Sequence, residues 1–215
     1  MTVGHIVDLS QPVDAGTPVF PGDGPVRVTL SGESSVNVSR IDFSVHTGTH
    51  MDAPYHFFNG AETIDQVALN RCVGPARIID LRDLRDLRNV GPEREIRREH
   101  IERRRATTLR AHAAILQTGW SRQWGTPGYF SDHPCLAGDA AQFLVDCGVQ
   151  LVGVDMPSVD CAPYPAHRIL LRAGVPIVEN LTNLEGIGAG PFQLVVLPLK
   201  LTGRDGSPVR AVAIL

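Results

Sequence analysis

The chain has 215 residues with 20 basic and 23 acidic side chains, a formal net charge of −3, and 43% hydrophobic but only 6% aromatic residues. One domain of that length buries roughly 70% of the surface its unfolded chain exposes, which excludes a disordered chain, and the near-neutral balance opposes a general polyanion binder. Its 21 Gly and 16 Pro are aperiodic, which points to many strands and turns and excludes a collagen, a coiled coil or a long bundle.

From the N-terminus onward, residues 1–8 carry no basic segment leading into an apolar core. No apolar stretch approaches the roughly 18 to 20 residues of a membrane span, so a soluble, cytoplasmic protein with no membrane partner is expected. β-like runs follow at residues 4–9, 26–30 and 38–45. In the last of these Ile41, Phe43 and Val45 alternate with Arg40, Asp42 and Ser44, which predicts one wet or functional face. After a fourth run at residues 76–81, residues 82–105 hold nine Arg and six acidic residues. Acids interleave with the arginines and no aromatic lies in the segment, so it reads as a solvated, ion-paired loop and helix, with Arg98 and Glu102 at i,i+4 spacing, and no nucleic-acid partner is expected.

Further strands are predicted at residues 113–118, 151–155, 177–179, 193–199 and 209–214. Two helices interrupt them. Residues 140–147 follow Asp139 as N-cap and stop at Gly148, and residues 166–173 follow Pro165 and stop at Gly174, with proline suited to a first turn and glycine to the position past the end. No linker divides the elements, so residues 1–215 are expected to form one mixed α/β domain.

Lysine chemistry has a single candidate, Lys200, set in an apolar run without the surroundings of a phosphate loop. Cys72, Cys135, Cys147 and Cys161 are too scattered for a C-x-x-C pair and are expected to stay reduced. The informative cluster is His46-Thr-Gly-Thr-His50-Met-Asp52-Ala-Pro54-Tyr-His56, which holds three of the eight histidines. Imidazole and carboxylate are the donors that borderline divalent metals select. Position 47 is Thr where a helical zinc protease carries its glutamate, and Gly48 and Pro54 oppose a helix. The expected geometry is therefore a strand, a tight turn at Gly48, and His50 and Asp52 extended with both side chains on one side. Two residues elsewhere are recruitable. His167 falls in the first turn of the second helix, where the helix dipole disfavours imidazolium and leaves a lone pair free. Glu179 ends the apolar run Val175–Val178, a position that asks for a cationic partner.

The cluster resembles the signature of the metal-dependent cyclase-like hydrolase family, which includes bacterial kynurenine formamidases and isatin hydrolases. The resemblance extends through Pro18–Asp23, Thr118-Gly119-Trp120, Gly153–Asp160 and Gly206–Ala211. It implies a swivelling β/β/α fold with a mixed sheet, usually a homodimer or larger, up to a tetramer. It implies that His46, His50 and Asp52 hold a first metal, that His167 and Glu179 complete a second site, and that His56 donates and accepts the proton. Zinc is typical of the formamidases and manganese of the isatin hydrolases, one or two ions per chain. Phe20 stands where formamidases tend to carry Trp and is the candidate substrate-binding residue. The segment Trp120–Phe130 is either a lid over an aryl substrate or a satellite hydrophobic cluster.

The implied activity is hydrolysis of a carbon–nitrogen bond in a non-peptide aryl amide, N-formylkynurenine first, as in an arylformamidase of tryptophan catabolism. Alternatives are an isatin hydrolase-like cyclic amidase and a catalytically silent metal- or ligand-binding protein on the same fold.

Overall fold

The β-like runs pair into a ring. The computed structural model describes residues 4–31, 36–84, 94–104, 112–188 and 190–215. Its main sheet is built from β1 (Ile6–Asp8), β4 (His50–Asp52), β5 (Val73–Asp80), β7 (Ala113–Gln117), β9 (Leu151–Val154), β10 (Ile177–Glu179), β11 (Phe192–Pro198) and β12 (Gly206–Ile214). The order is β1-β12-β11-β5-β7-β9-β10-β4, and β4 pairs again with β12, which closes the sheet into a barrel. Closure depends on the length of β12: its first three residues pair with β4 and its last three with β1 along one edge, while β11 occupies the other. The pairings β5–β7, β7–β9 and β9–β10 are parallel and the others antiparallel. The expected α/β class with a mixed sheet is what the chain forms.

Strand alternation separates two cores. Met51, Ala76, Ile115, Leu151, Val178, Leu194 and Ala211 come from seven different strands and form one cluster inside the ring. Ala114, Leu116, Val152, Val154 and Ile177 take the opposite face of their strands and pack under α3 (Gly138–Asp146) and α4 (Pro165–Arg172) through Leu144, Leu170 and Leu171. Both helices lie within two residues of their predicted bounds, and Gly148 and Gly174 follow them in the left-handed conformation, φ 77° and 72°. Two sequence landmarks meet here. Asp155 accepts the backbone N–H groups of Thr118 and Gly119 at 2.9 and 2.7 Å and the Thr118 hydroxyl at 2.6 Å, joining the ends of β7 and β9.

The run predicted at residues 38–45 is shorter and differently placed. β2 (Arg27–Ser31) and β3 (Val38–Asp42) form a separate two-stranded ribbon, and every residue of β3 is exposed. Both of its faces are therefore wet, because the ribbon pairs with no other strand among the described residues. Val28, Leu30 and Ile41 share one face of it at 43%, 73% and 54% exposure.

Short elements complete the fold: α1 (Leu69–Cys72), α2 (Arg98–Glu102) and the paired β6 (Glu95–Ile96) and β8 (Cys135–Leu136). Part of the Arg-rich segment lies outside the described residues. Arg98 pairs with Glu102 at 2.7 Å and Arg103 with Glu99 at 3.2 Å, as expected of an ion-paired helical face. Cys135 and Cys161 form a disulfide, contrary to the expectation of reduced thiols, while Cys72 and Cys147 are free. The two half-cystines are 26 residues apart and are joined by the packing of β8 against the loop before α4, a proximity that local spacing does not encode. Among the described residues no helix is long and apolar enough to cross a membrane.

Candidate metal centre and catalytic pocket

The turn before β4 builds the first half of the site. Gly48 has φ +66°, a conformation that costs glycine least, and its carbonyl accepts both the His50 Nδ1–H at 2.9 Å and the Asn180 side-chain amide at 2.9 Å. Thr49 donates its hydroxyl to the Asn180 carbonyl at 2.7 Å, so the turn is tied to the residue that follows β10. In β4, Met51 enters the barrel core while His50 and Asp52 face outward, both buried. The antiparallel register sets Glu179 directly opposite His50. From the other side His167, in the first turns of α4, reaches the same point.

Four of the five predicted ligands thus converge. His50 Nε2 lies 3.4 Å from Asp52 Oδ1 and 3.5 Å from Glu179 Oε2, and His167 Nε2 lies 3.6 Å from Asp52 Oδ2 and 3.4 Å from Glu179 Oε1. These gaps are long for charged hydrogen bonds, but donors about 2.1 Å from a shared ion lie roughly 3.0–3.4 Å apart. Asp52 Oδ2 is buried without a hydrogen-bond partner, which is costly for a carboxylate unless a cation meets it. The rear nitrogens of both histidines are occupied: His50 Nδ1 by the Gly48 carbonyl and His167 Nδ1 by Asp160 Oδ1 at 2.5 Å. That arrangement leaves each Nε2 facing the centre, where His167 ligates a metal on giving up the proton it holds there. The residues present therefore fit a divalent ion.

The fifth predicted ligand, His46, is tied at both nitrogens, Nδ1 to Asp52 Oδ1 at 2.8 Å and Nε2 to Asp205 Oδ2 at 2.7 Å. Burial alone would depress its pKa, but the bonds to Asp205 and Asp52 override burial and carry it to about 10. The His46 imidazolium in turn holds Asp205 down at about 2. For His167 the expectation from the helix dipole is corrected. Burial lowers its pKa, yet Asp160, Asp52 and Glu179 together push it well above the usual histidine value, because three carboxylates outweigh the partial charge at the end of a two-turn helix.

Asp160 and Asp205 carry no local sequence mark of their part in this chemistry. Asp160 also accepts the backbone N–H groups of Ala166 and His167 at 2.5 and 3.2 Å, so one carboxylate starts α4 and orients its histidine. Asp205 sits in the turn before β12, where its carbonyl accepts the Ala53 N–H at 2.9 Å. The available signal was Gly206: a Cβ there would come within 2.8 Å of His46 Cε1, so only glycine lets that turn approach the imidazole.

His56 ends the short 3-10 turn Pro54–His56. Its ring lies 4.2 Å from that of His46 and 6.1 Å from that of His167, and burial lowers its pKa. Above these groups opens a cavity of about 320 Å³ walled by Phe20, Phe57, Phe130 and Tyr164, with Asp23 at its edge. Phe57 stacks on His167 at 4.7 Å, and Phe20 meets Phe130 edge to face at 5.8 Å. Residues 120–130 are divided between the interior and the cavity. Tyr129 is buried and donates its hydroxyl to Asn180 Oδ1 at 2.7 Å, whereas Phe130 reaches the cavity wall.

Known proteins resemble this chain throughout its length. A kynurenine formamidase from Bacillus mycoides (strain KBAB4) is 37% identical over 220 residues, covering 99% of this chain and 98% of that protein. A kynurenine formamidase from Bacillus anthracis has the same identity and coverage. Isatin hydrolase A from Labrenzia aggregata, solved bound to benzyl benzoate, superposes with a TM-score of 0.86 at 26% identity over 98% of this chain and 93% of its own. A "predicted metal-dependent hydrolase" from Bacillus stearothermophilus superposes with a TM-score of 0.80 at 30% identity over 99% and 98%. The family model described as putative cyclase matches residues 7–161, and the chain belongs to that cyclase family.

Proposed function

We propose that the chain is a metal-dependent amidohydrolase that removes a formyl group from an aryl amide, with N-formylkynurenine as its substrate. The observation that carries this reading is the convergence of His50, Asp52, His167 and Glu179 around a buried carboxylate oxygen without a hydrogen bond, at the floor of an aromatic cavity that His56 also lines. His50, Asp52, His167 and Glu179 would hold the ion, and His46 would join them on losing the proton it shares with Asp52. The ion is Zn2+, with Mn2+ as the alternative, one or two per chain. Bound there, it supplies polarisation of the scissile carbonyl and lowers the pKa of water toward about 7.

The chain's own residues do the rest. Desolvation at the cavity wall lowers the His56 pKa, which suits it to take the proton released when water attacks the formyl carbon. It then delivers that proton to the departing aryl nitrogen, and the C–N bond breaks to give formate and a free amine. Phe20, Phe57 and Phe130 hold the aryl ring, for which edge and face contacts are worth about 0.5–1.5 kcal/mol each. Asp23 is an anion on a cavity wall to which the described residues contribute no Lys or Arg, which favours a substrate bearing an ammonium group.

A second reading, ring opening of isatin, is supported by the overlap with isatin hydrolase A and by the aromatic wall. Parallel assays of N-formylkynurenine and isatin, with metal-replete and chelator-treated protein, separate the two. Turnover of neither would favour a silent binding protein. We place the protein in the cytoplasm as a homodimer or tetramer, with the exposed apolar face of the β2–β3 ribbon, Val28, Leu30 and Ile41, supporting self-association.

A further inference from the structure

One residue beyond Asp160, a second group of donors lies outside the proposed catalytic centre. His133, Cys135 and Cys161 bring an imidazole nitrogen and two sulfurs within 4.8 Å of one another. His133 is buried, 4% exposed. Its Nδ1–H donates to the Pro134 carbonyl at 2.8 Å, which leaves the lone pair on Nε2, and the partner facing that lone pair is Cys161 Sγ at 3.9 Å. Burial depresses the pKa of this imidazole, which keeps it neutral. A histidine whose rear N–H is fixed by a backbone carbonyl and whose other nitrogen faces sulfur is set up as a ligand rather than as a donor. Beside the sulfurs lies a cavity of about 320 Å³ to which Glu95, Asp160 and both cysteines contribute.

We infer that His133, Cys135 and Cys161 form a second, redox-gated metal site, which takes a thiophilic divalent ion such as Zn2+ when the cysteines are reduced and loses it when they close into the disulfide. The distances permit this exchange. With Zn–S near 2.3 Å and Zn–N near 2.0–2.1 Å, tetrahedral neighbours lie roughly 3.5–3.8 Å apart. His133 Nε2 and Cys161 Sγ already stand 3.9 Å apart, so the sulfurs need only turn away from each other about their side-chain bonds. Three protein donors leave a fourth position open toward the cavity.

The redox step balances with a small-molecule disulfide as oxidant. The Cys161 thiolate attacks one of its sulfurs and expels a thiolate. The Cys135 thiolate then attacks the Cys161 sulfur of the mixed disulfide and expels the second. Two electrons pass from the cysteines to the external disulfide, its two thiolates take protons from solvent, and the divalent ion leaves with its charge unchanged.

This site stands independently of the proposed activity. Because Asp160 also supports His167, the test reads the metal directly rather than turnover. The full-length chain, reduced with a phosphine and titrated with Co2+ in the absence of oxygen, is expected to develop a thiolate-to-cobalt charge-transfer band. It should bind one more equivalent of Co2+ per chain than the disulfide form. The proposed catalytic centre contains no sulfur, so the band does not arise there, and oxidised glutathione should abolish it. Cys135→Ser and Cys161→Ser are each expected to remove the band, His133→Ala to weaken Co2+ binding at least tenfold, and Cys72→Ser with Cys147→Ser to leave it intact. The last variant keeps the test decisive if the others do not fold. A reduced wild-type chain without the band, or a band that disappears with Cys72 and Cys147, would overturn the inference.

Discussion

Replacing Asp160 by Asn changes one charge and one acceptor behind His167 while keeping the side chain's size. In the wild-type chain Oδ1 accepts the imidazole Nδ1–H at 2.5 Å and Oδ2 accepts the N–H groups that open α4 at 2.5 and 3.2 Å. Asparagine has a single carbonyl oxygen. If that oxygen keeps the helix, the amide NH2 faces Nδ1, and the imidazole must move its proton to Nε2, the atom that faces Asp52 and Glu179. The lone pair that would meet the metal is then gone. If the oxygen keeps the imidazole, two buried backbone N–H groups lose their acceptor at about 1–3 kcal/mol. Loss of such support behind a ligating histidine typically lowers metal affinity about 10- to 100-fold, or about 1.4–2.8 kcal/mol. Competition against a chromophoric chelator measures the affinity, and far-ultraviolet circular dichroism checks that the helices persist. A folded Asp160→Asn protein that binds Zn2+ within twofold of wild type would refute both the role of Asp160 and the assignment of His167 as a ligand.

Other outcomes follow from the same geometry. His56→Ala should leave metal content unchanged and lower kcat on N-formylkynurenine by about 10²- to 10⁴-fold; steady-state kinetics with metal analysis decides. The pKa of His46 is raised to about 10 in the metal-free chain. Its contribution to stability is therefore complete below the unfolded value near 6.5 and is lost as pH rises through about 10, so the Tm of chelator-treated protein should fall across that window. Metal affinity should rise over the same range by about tenfold per pH unit for each proton displaced, since ligation requires the neutral imidazole. A Tm that climbs from pH 7 to 10 would contradict the His46 assignment. Phe20→Ala removes the edge-to-face contact with Phe130 and should raise KM by about 2- to 12-fold, with kcat less affected. Asp23→Asn should raise KM for N-formylkynurenine and not for neutral isatin.

What the sequence disclosed about the site was local. His50 and Asp52 are two apart on one strand and Gly48 forces the turn ahead of them, so spacing and residue type were sufficient for that half. Glu179 stood out because a carboxylate at the end of Val175–Val178 contradicts its surroundings. The meeting of Glu179 with His50 depends on the β4–β10 register, which no local pattern contains. Asp205 looked like an ordinary turn residue, since its relation to His46 spans 159 positions. The Cys135–Cys161 pair was invisible for the same reason. Strand existence was more legible than strand context: residues 38–45 alternate as a half-buried strand would, yet β3 sits in a ribbon exposed on both faces. At His167 local position implies only the helix dipole, whereas Asp160, Asp52 and Glu179 reach the imidazole from other segments of the chain.

On this reading hydrolysis depends on a metal held by these imidazoles and carboxylates. That dependence is measured on protein stripped by chelator and then titrated with Zn2+ or Mn2+, with initial rates on N-formylkynurenine followed at each addition. Turnover should be negligible at the start and should rise to a break at one or two equivalents per chain. Full turnover in the stripped protein, unchanged by added metal, would contradict it.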